Sequence, residues 1–421
     1  MEVAMVSGHA EPYGREGLPL EEARQRVLEA LAPIQRSETV PLQQALGRVS
    51  AAEVRASEAV PGFRASIMDG YALGQATQPT LGESWTLKGR SAAGHPFNAT
   101  LHNGEAIRIL TGAPLPDGAG WVLPQELVDV SDDTITLAKE ASDRPWIRAA
   151  SDECERDDLL LTAGHRLTAA DLGRLASCGV TALEVGLQAR VGLLISGDEL
   201  VPAGSHRPPG AIWESNGTLL ETMLRSLGQT VHSHQVVADQ PKELAEALRD
   251  LANRCDVVVT TGGVSAGDTD WIRPLVAELG DVAFWKLFLR PGRPFAFGHL
   301  GKNVPFFGLP GNPVAAAITA LQLLWPALQL LEGQAQPELF PRLKVVLADP
   351  LPRRPGRPEL ARARLETDDQ GTLLARIDGS QASSRIGSLQ QADLLLEVPA
   401  DAGTLNPGTP LWAQLIRRRL F

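Results

Sequence analysis

From Ala189 to about residue 336, apolar runs of strand length alternate with segments of helix length, and no other feature of the 421-residue chain narrows its fold as much. "ARVGLLISGDEL" is an apolar strand ending in a polar turn, "NGTLLETMLRSLG" a helix stopped by Gly228, "QTVHSHQVVAD" a strand and "QPKELAEALRDLANRC" a helix. "DVVVT", a helix near "DWIRPLVAELG", the strand "VPFFGL" and a helix after "GNP" continue the series. Strands apolar along their whole length need cover on both faces, so this stretch predicts a doubly wound α/β unit with a parallel sheet. Val304 to Leu331 carries no formal charge and is long enough to cross a bilayer. Gly308, Pro310, Gly311, Asn312 and Pro313 interrupt its first third, and Gln322, Pro326 and Gln329 the rest, which favours a strand, a loop and a buried core helix over a membrane span.

The flanking chain has a different texture. "LPLEEARQRVLEALAPI" places Leu20, Ala23, Val27, Leu28 and Leu31 at helical spacing, with Glu in the first turn. Short alternating runs cut by Gly, Pro and Asn extend from about Val40 to Asp157 and read as a small β module. "RLTAADLGRLASCGV" predicts a helix capped by Thr168 with Asp171 three residues on and Gly179 at the stop. Short strands return after Gln336 and predict a C-terminal β domain; its basic, Pro-rich "LPRRPGRPEL" reads as a solvated connection.

A net charge of −11 argues against a general nucleic-acid binder, though local Arg, backbone amides or a divalent metal could still receive one small anion. Cys154, Cys178 and Cys255 form no C-x-x-C pair, which argues against a zinc site or disulfide framework and fits a reducing compartment. The opening "MEVAMVSGHAEPYGREG" lacks a basic n-region and an apolar h-region, so no secretory signal is expected and a cytoplasmic location is.

Ligands of open α/β sheets bind beyond the carboxyl ends of the strands, where loop amides and helix N-termini converge. Three such ends are decorated here: "SGDEL", "TTGGVSAGDTD" and "GLPGNP". In the second, Gly262 and Gly263 can take positive φ and Thr260, Thr261 and Ser265 offer hydroxyls, which suits either a plain glycine turn or a phosphate cradle. Asp268 and Asp270 would repel a phosphate unless a hard cation such as Mg²⁺ sat between them. Asp198, Glu199 and Asp239 fall at neighbouring strand ends, each equally readable as a helix cap. Asn312 and Pro313 suit the N-cap and first position of the long apolar helix. "FWKLFLRPGRPFAFG" sets Lys286, Arg290 and Arg293 in a strand–turn–strand text, either as surface charge or for anion capture. "IMDGYAL" and "RILTGAPLPDGA" place Asp69 and Thr111 at turns of the β module.

In this order, "IMDGYAL", "RILTGAPLPDGA", "SGDEL", "TTGGVSAGDTDW", "FWKLFLRPGRPFAFG" and "GLPGNPV" resemble the molybdopterin molybdenumtransferases, the MoeA and gephyrin E-domain family, from about Leu18 onward. The resemblance implies a multidomain α/β plus β protein in four parts. These are a molybdopterin-binding α/β domain (15–36 and 180–336), an elongated connecting subdomain (37–56 and 158–179), an inserted β module (57–157) and a C-terminal β-barrel (337–421). It implies molybdenum cofactor biosynthesis: molybdenum from molybdate enters adenylylated molybdopterin, with Mg²⁺ as cofactor and AMP released. Asp69, Thr111, Glu199, Asp239 and Asp270 would be catalytic, with Glu199, Asp239 and Asp270 holding the metal. Thr261, Gly262, Gly263, Ser265, Asp268, Pro310, Gly311, Asn312 and Pro313 would bind the substrate, and Lys286, Arg290 and Arg293 molybdate or phosphate. A homodimer is implied, in which the β module faces the partner's α/β domain, with a transient contact to the adenylyltransferase and with neither nucleic acid nor membrane as a partner. The chain departs from the family pattern at Arg64 and Ala65 in "FRASIMDG", at Glu153 where an Asp is usual, and at Arg290 where a Lys is usual. A catalytically weak paralogue acting as a carrier or scaffold is the alternative these departures leave.

Overall fold

The computed structural model describes residues 17–264, 270–377 and 379–416. Its central sheet has six strands in the order Val231–Val237, Val191–Ser196, Val257–Thr261, Val304–Leu309, Ala296–Leu300 and Gly280–Trp285. The first four run parallel, Ala296–Leu300 runs opposite to them and Gly280–Trp285, paired antiparallel to it at the edge, runs with them again, so the sheet is mixed rather than parallel throughout. The reason lies in "FWKLFLRPGRPFAFG": no crossover helix separates these two strands, and a chain that returns directly must come back antiparallel.

Alternate strand residues feed two cores. Val191, Leu193, Ile195, Val259 and Phe307 pack with Leu20–Glu29, Asn216–Ser226 and the helical segment after Pro313. Leu194, Val258 and Phe306 pack with Pro241–Arg254 and Ile272–Leu279. The long apolar stretch is helix Pro313–Thr319, a π turn Ala320–Leu324 and helix Trp325–Leu331. Pro326 has no N–H for the carbonyl one turn back, and the wide turn before it accommodates the lost bond. Pro313–Leu331 is the one helix among the described residues apolar and long enough to span a membrane, and 94% of its most apolar window is buried inside the protein.

The β module is a six-stranded sheet ordered Trp121–Pro124, Gly70–Leu73, Glu105–Ile109, Ser84–Ser91, Thr134–Leu137, Val128–Ser131. Between it and the central sheet, Ser37–Pro41 pairs with Ala182–Gly186 and Val54–Arg55 with Leu159–Leu161, so distant chain segments build one connecting piece. Helix Ala169–Ser177 packs there, and Thr168 and Asp171 form the expected capping box. Arg342–Leu347, Leu373–Arg376, Glu359–Thr367, Leu394–Val398 and Pro410–Leu415 close into a C-terminal barrel.

Candidate active site

The strand order creates a switch point. Strand Val191–Ser196 leaves toward helix Asn216–Ser226 on one face of the sheet, whereas its neighbour Val257–Thr261 leaves toward helix Ile272–Leu279 on the other. Loops beyond these two strand ends therefore diverge and leave a crevice. A cleft of about 1060 Å³ lies there, floored by the strand ends and walled on its far side by residues of the C-terminal domain.

Glycine is needed in the floor. Gly262 and Gly263 have φ of +89° and +62°, and a Cβ at these positions would sit 2.5 Å from the Ser196 carbonyl oxygen and 2.7 Å from Ile272 Cγ1. The positive φ and the close approach both exclude a side chain, and both glycines line the cleft with backbone atoms alone. Buried Asn216 donates to the Gly311 carbonyl at 2.7 Å and to the Thr261 hydroxyl at 3.2 Å, tying two loops together. Asn312 stands at the N-cap and Pro313 at the first helical position as expected. Its amide, however, donates to the Ser383 hydroxyl at 3.1 Å, and Val314 N–H donates to the Ser383 carbonyl at 3.1 Å, so a loop of the C-terminal domain is seated on this helix start.

Glu199, Asp239 and Asp270 all line the cleft. Asp239 N–H donates to the Asp198 carboxylate at 2.9 Å. Burial raises the pKa of the Asp239 carboxyl above its ordinary value, and the charges of Asp198 and Glu199 push in the same direction. Among the described residues no three His, Cys, Asp or Glu side chains converge on a metal-sized point, so these acids do not form a preformed three-ligand cage.

Arg290 and Arg293 line the same cleft, and Arg357 joins them from the C-terminal domain. Arg290 N–H donates to the Pro358 carbonyl and Leu360 N–H to the Arg290 carbonyl, both at 2.8 Å, which brings the two basic loops alongside each other. Burial lowers the pKa of the Arg357 guanidinium, and Arg293 and Arg290 repel its charge further. Three cations held this close favour an anion between them. "LPRRPGRPEL" is thus not a solvated connection: Arg353 is buried against Glu359 and Arg357 reaches the cleft. The pentapeptide RPGRP occurs at 290–294 and again at 354–358, a signal in the sequence that could have paired these loops.

Thr261, Pro310, Gly311, Asn312 and Pro313 line the cleft with the glycines. Ser265 and Asp268 lie outside the described residues. Lys286 is not among the lining residues: its φ is +75° and its ammonium lies 4.0 Å from the centroid of the Trp285 ring. Asp69 and Thr111 are absent from the lining too, but they meet each other, with Thr111 N–H and Oγ1 both donating to Asp69 Oδ1 at 2.8 Å. The Thr111 amide, then its hydroxyl, hold the Asp69 carboxyl below its ordinary value. Three of the departures from the family pattern have structural partners, Ala65 through its backbone alone. Arg64 donates to the Ala119 carbonyl at 2.8 Å, Ala65 pairs with Arg148 in a short ladder, and Glu153 pairs with Arg174 at 3.2 Å. Arg357, Ser383, Asn216 and Trp213 are cleft residues that the sequence reading did not single out.

Comparison with known proteins agrees with this architecture. Residues 18–179 match the MoeA N-terminal region (domain I and II), 192–330 a probable molybdopterin binding domain, and 344–415 the MoeA C-terminal region (domain IV). The chain is 33% identical over 394 residues to a molybdopterin molybdenumtransferase of Haemophilus influenzae, covering 93% of this chain and 96% of that one. It is 31% identical to molybdopterin molybdenumtransferase 2 of Mycobacterium tuberculosis, covering 92% and 97%. The crystal structure of a molybdopterin biosynthesis moeA protein from Pyrococcus horikoshii superposes with a TM-score of 0.79 at 25% identity, covering 95% of this chain and all of that one. Matched along nearly its whole length and in each of its parts, the chain belongs to the MoeA family of molybdopterin molybdenumtransferases, proteins of molybdenum cofactor biosynthesis.

Proposed function

We propose that the chain is an enzyme that inserts molybdenum from molybdate into adenylylated molybdopterin, releasing AMP in a Mg²⁺-dependent reaction. One observation carries the reading: a glycine floor, three carboxylates and three guanidinium groups share a single cleft at the switch point. A substrate with a diphosphate link, a second oxyanion and a divalent cation needs that combination of charges.

The amides of Gly262 and Gly263 and the Thr261 hydroxyl bind the diphosphate. Asn216 donates to that hydroxyl oxygen, which leaves the hydroxyl proton as a donor. Pro310 and Pro313 stiffen the adjoining wall. Arg290, Arg293 and Arg357 hold molybdate, whose charge would otherwise be repelled by the phosphates. Glu199, Asp239 and Asp270 supply the hard oxygen donors that suit Mg²⁺. That ion completes its shell with water and phosphate oxygens, so the absence of a three-carboxylate cage among the described residues is compatible with it. When bound it would neutralise charge on the diphosphate, and it would relieve the mutual repulsion that helps raise the Asp239 pKa.

The test is AMP release from adenylylated molybdopterin by purified protein, with Mg²⁺ and molybdate each omitted in turn. Release that requires both is expected, and Asp270→Asn is expected to lower it at least about a hundredfold. Tight binding of the nucleotide with no release would replace the enzyme reading by that of a carrier.

A further inference from the structure

We propose that Trp213 is a stacking platform at the mouth of the cleft for a planar heterocycle at one end of the substrate. The inference rests on the proposal that adenylylated molybdopterin is the substrate. Trp213 is the one aromatic side chain among the described residues lining the cleft, where the other walls offer charge, amides, prolines and small aliphatic groups. Phosphate and oxyanion contacts cannot tell one flat ring from another, so selection of a ring needs a π face.

The indole is held in place. Ile212–Trp213 forms a parallel ladder with Leu200–Val201, directly after the cleft acid Glu199. Ile212 N–H donates to the Glu199 carbonyl and Glu214 N–H to the Val201 carbonyl, both at 2.8 Å. The indole Nε1 donates to the Ser205 carbonyl at 3.1 Å, and the Arg207 guanidinium lies 4.8 Å from the ring centroid. The intervening chain contains Pro202, Pro208 and Pro209, which restrict its backbone. With its N–H satisfied and its backbone fixed, Trp213 is still 49% exposed. Ile212 and Ile386, also lining the cleft, are 50% and 39% exposed. Exposed apolar side chains that line one cleft mark a place where a ligand can exclude water. Arg207 adds a cation over the same ring, which suits an electron-rich stacked layer.

The experiment titrates AMP and, separately, a pterin without phosphate into the full chain and its Trp213→Leu and Trp213→Phe variants by calorimetry, with thermal melts of each. Trp213→Leu is expected to weaken at least one probe about tenfold, and Trp213→Phe to retain affinity within about threefold, with unchanged melts. Loss confined to AMP assigns the adenine to Trp213, loss confined to the pterin assigns the pterin, and loss of both makes the platform common to the two. Indole fluorescence quenched by that probe in the wild type and unquenched in Trp213→Phe gives a second readout on a variant that still binds. In turnover, Trp213→Leu raises KM and leaves kcat nearly unchanged. Equal binding of both probes by wild type and Trp213→Leu overturns the platform while leaving the cleft reading intact. Equal loss in Leu and Phe variants with unchanged melts assigns the effect to the Ser205 bond and also overturns it. A wild type that binds neither probe also overturns the platform, while the cleft reading stands or falls by AMP release.

Discussion

At the scale of single residues, side-chain direction decided what the sequence could reveal. The glycine floor was legible because Gly262 and Gly263 are free to take the positive φ that this loop requires and that other residues resist. Lys286 was not: neighbouring Arg290 and Arg293 turn into the cleft, while its own backbone conformation lays its ammonium over Trp285. Asp256 shows how strongly such local geometry binds a charge. Arg190 donates to it through N, Nε and Nη2, each at 2.9 Å, and Arg36 through Nη2 at 2.7 Å. Burial alone would raise this carboxyl, but the bonds from Arg190 and the charge of Arg36 outweigh it and hold it below the ordinary 3.8. A group with a depressed folded pKa stabilises the fold fully above its unfolded value and loses that contribution as pH falls through the folded one. Asp256→Asn should therefore cost about 1–3 kcal/mol at pH 7. In urea titrations, the gap between wild type and variant should start to close as pH falls below 3.8. A gap independent of pH down to that range would show that the charge of Asp256 is not what stabilises the strand start.

Elements were legible where their ends carried local chemistry. Gly228 beyond Asn216–Ser226, Pro241 opening Pro241–Arg254 and the Thr168 box each act within a few residues of their helix, so the sequence alone contains the cause. The π turn at Ala320–Leu324 and the antiparallel edge hairpin have local causes too, in Pro326 and in a connection too short for a crossover helix, but packing decides which hydrogen-bond offset and which sheet edge result. A run of uncharged residues looks the same whichever way its hydrogen bonds are offset. Thr168 offers the direct check on the local class. Its hydroxyl accepts from Asp171 N–H, while its own N–H donates to the Asp171 carboxylate. Thr168→Ala removes the first of these and is expected to lower stability by about 1 kcal/mol, read as a reduced urea midpoint at constant slope. Thr168→Ser should restore most of it. If Ala and Ser variants unfold alike, the cap contributes little and the helix is held by its packing on the connecting piece.

For the whole molecule, the sequence indicated the number of parts more readily than their contacts. Ser37–Pro41 pairs with Ala182–Gly186 across the whole inserted module, and Arg357 reaches a cleft built mainly from the α/β part, a meeting whose one trace in the sequence is the repeated RPGRP. The same limit hides the role of Asp69 and Thr111. Their mutual bonds give a well-formed carboxylate, yet neither lines the cleft of its own chain. If the pair serves catalysis, as the family resemblance implies, it serves the cleft of a second copy, and a symmetric dimer supplies that geometry twice. Asp69→Asn and Asp270→Asn homodimers should then each be inactive in AMP release. Mixed dimers formed by co-expression have one cleft with both carboxylates intact and one with neither. Random pairing makes about half of all dimers mixed, so the mixture should recover about a quarter of wild-type activity. No recovery, despite mixed dimers shown by differential tags, would place both residues in service of one chain's own cleft and remove the shared site.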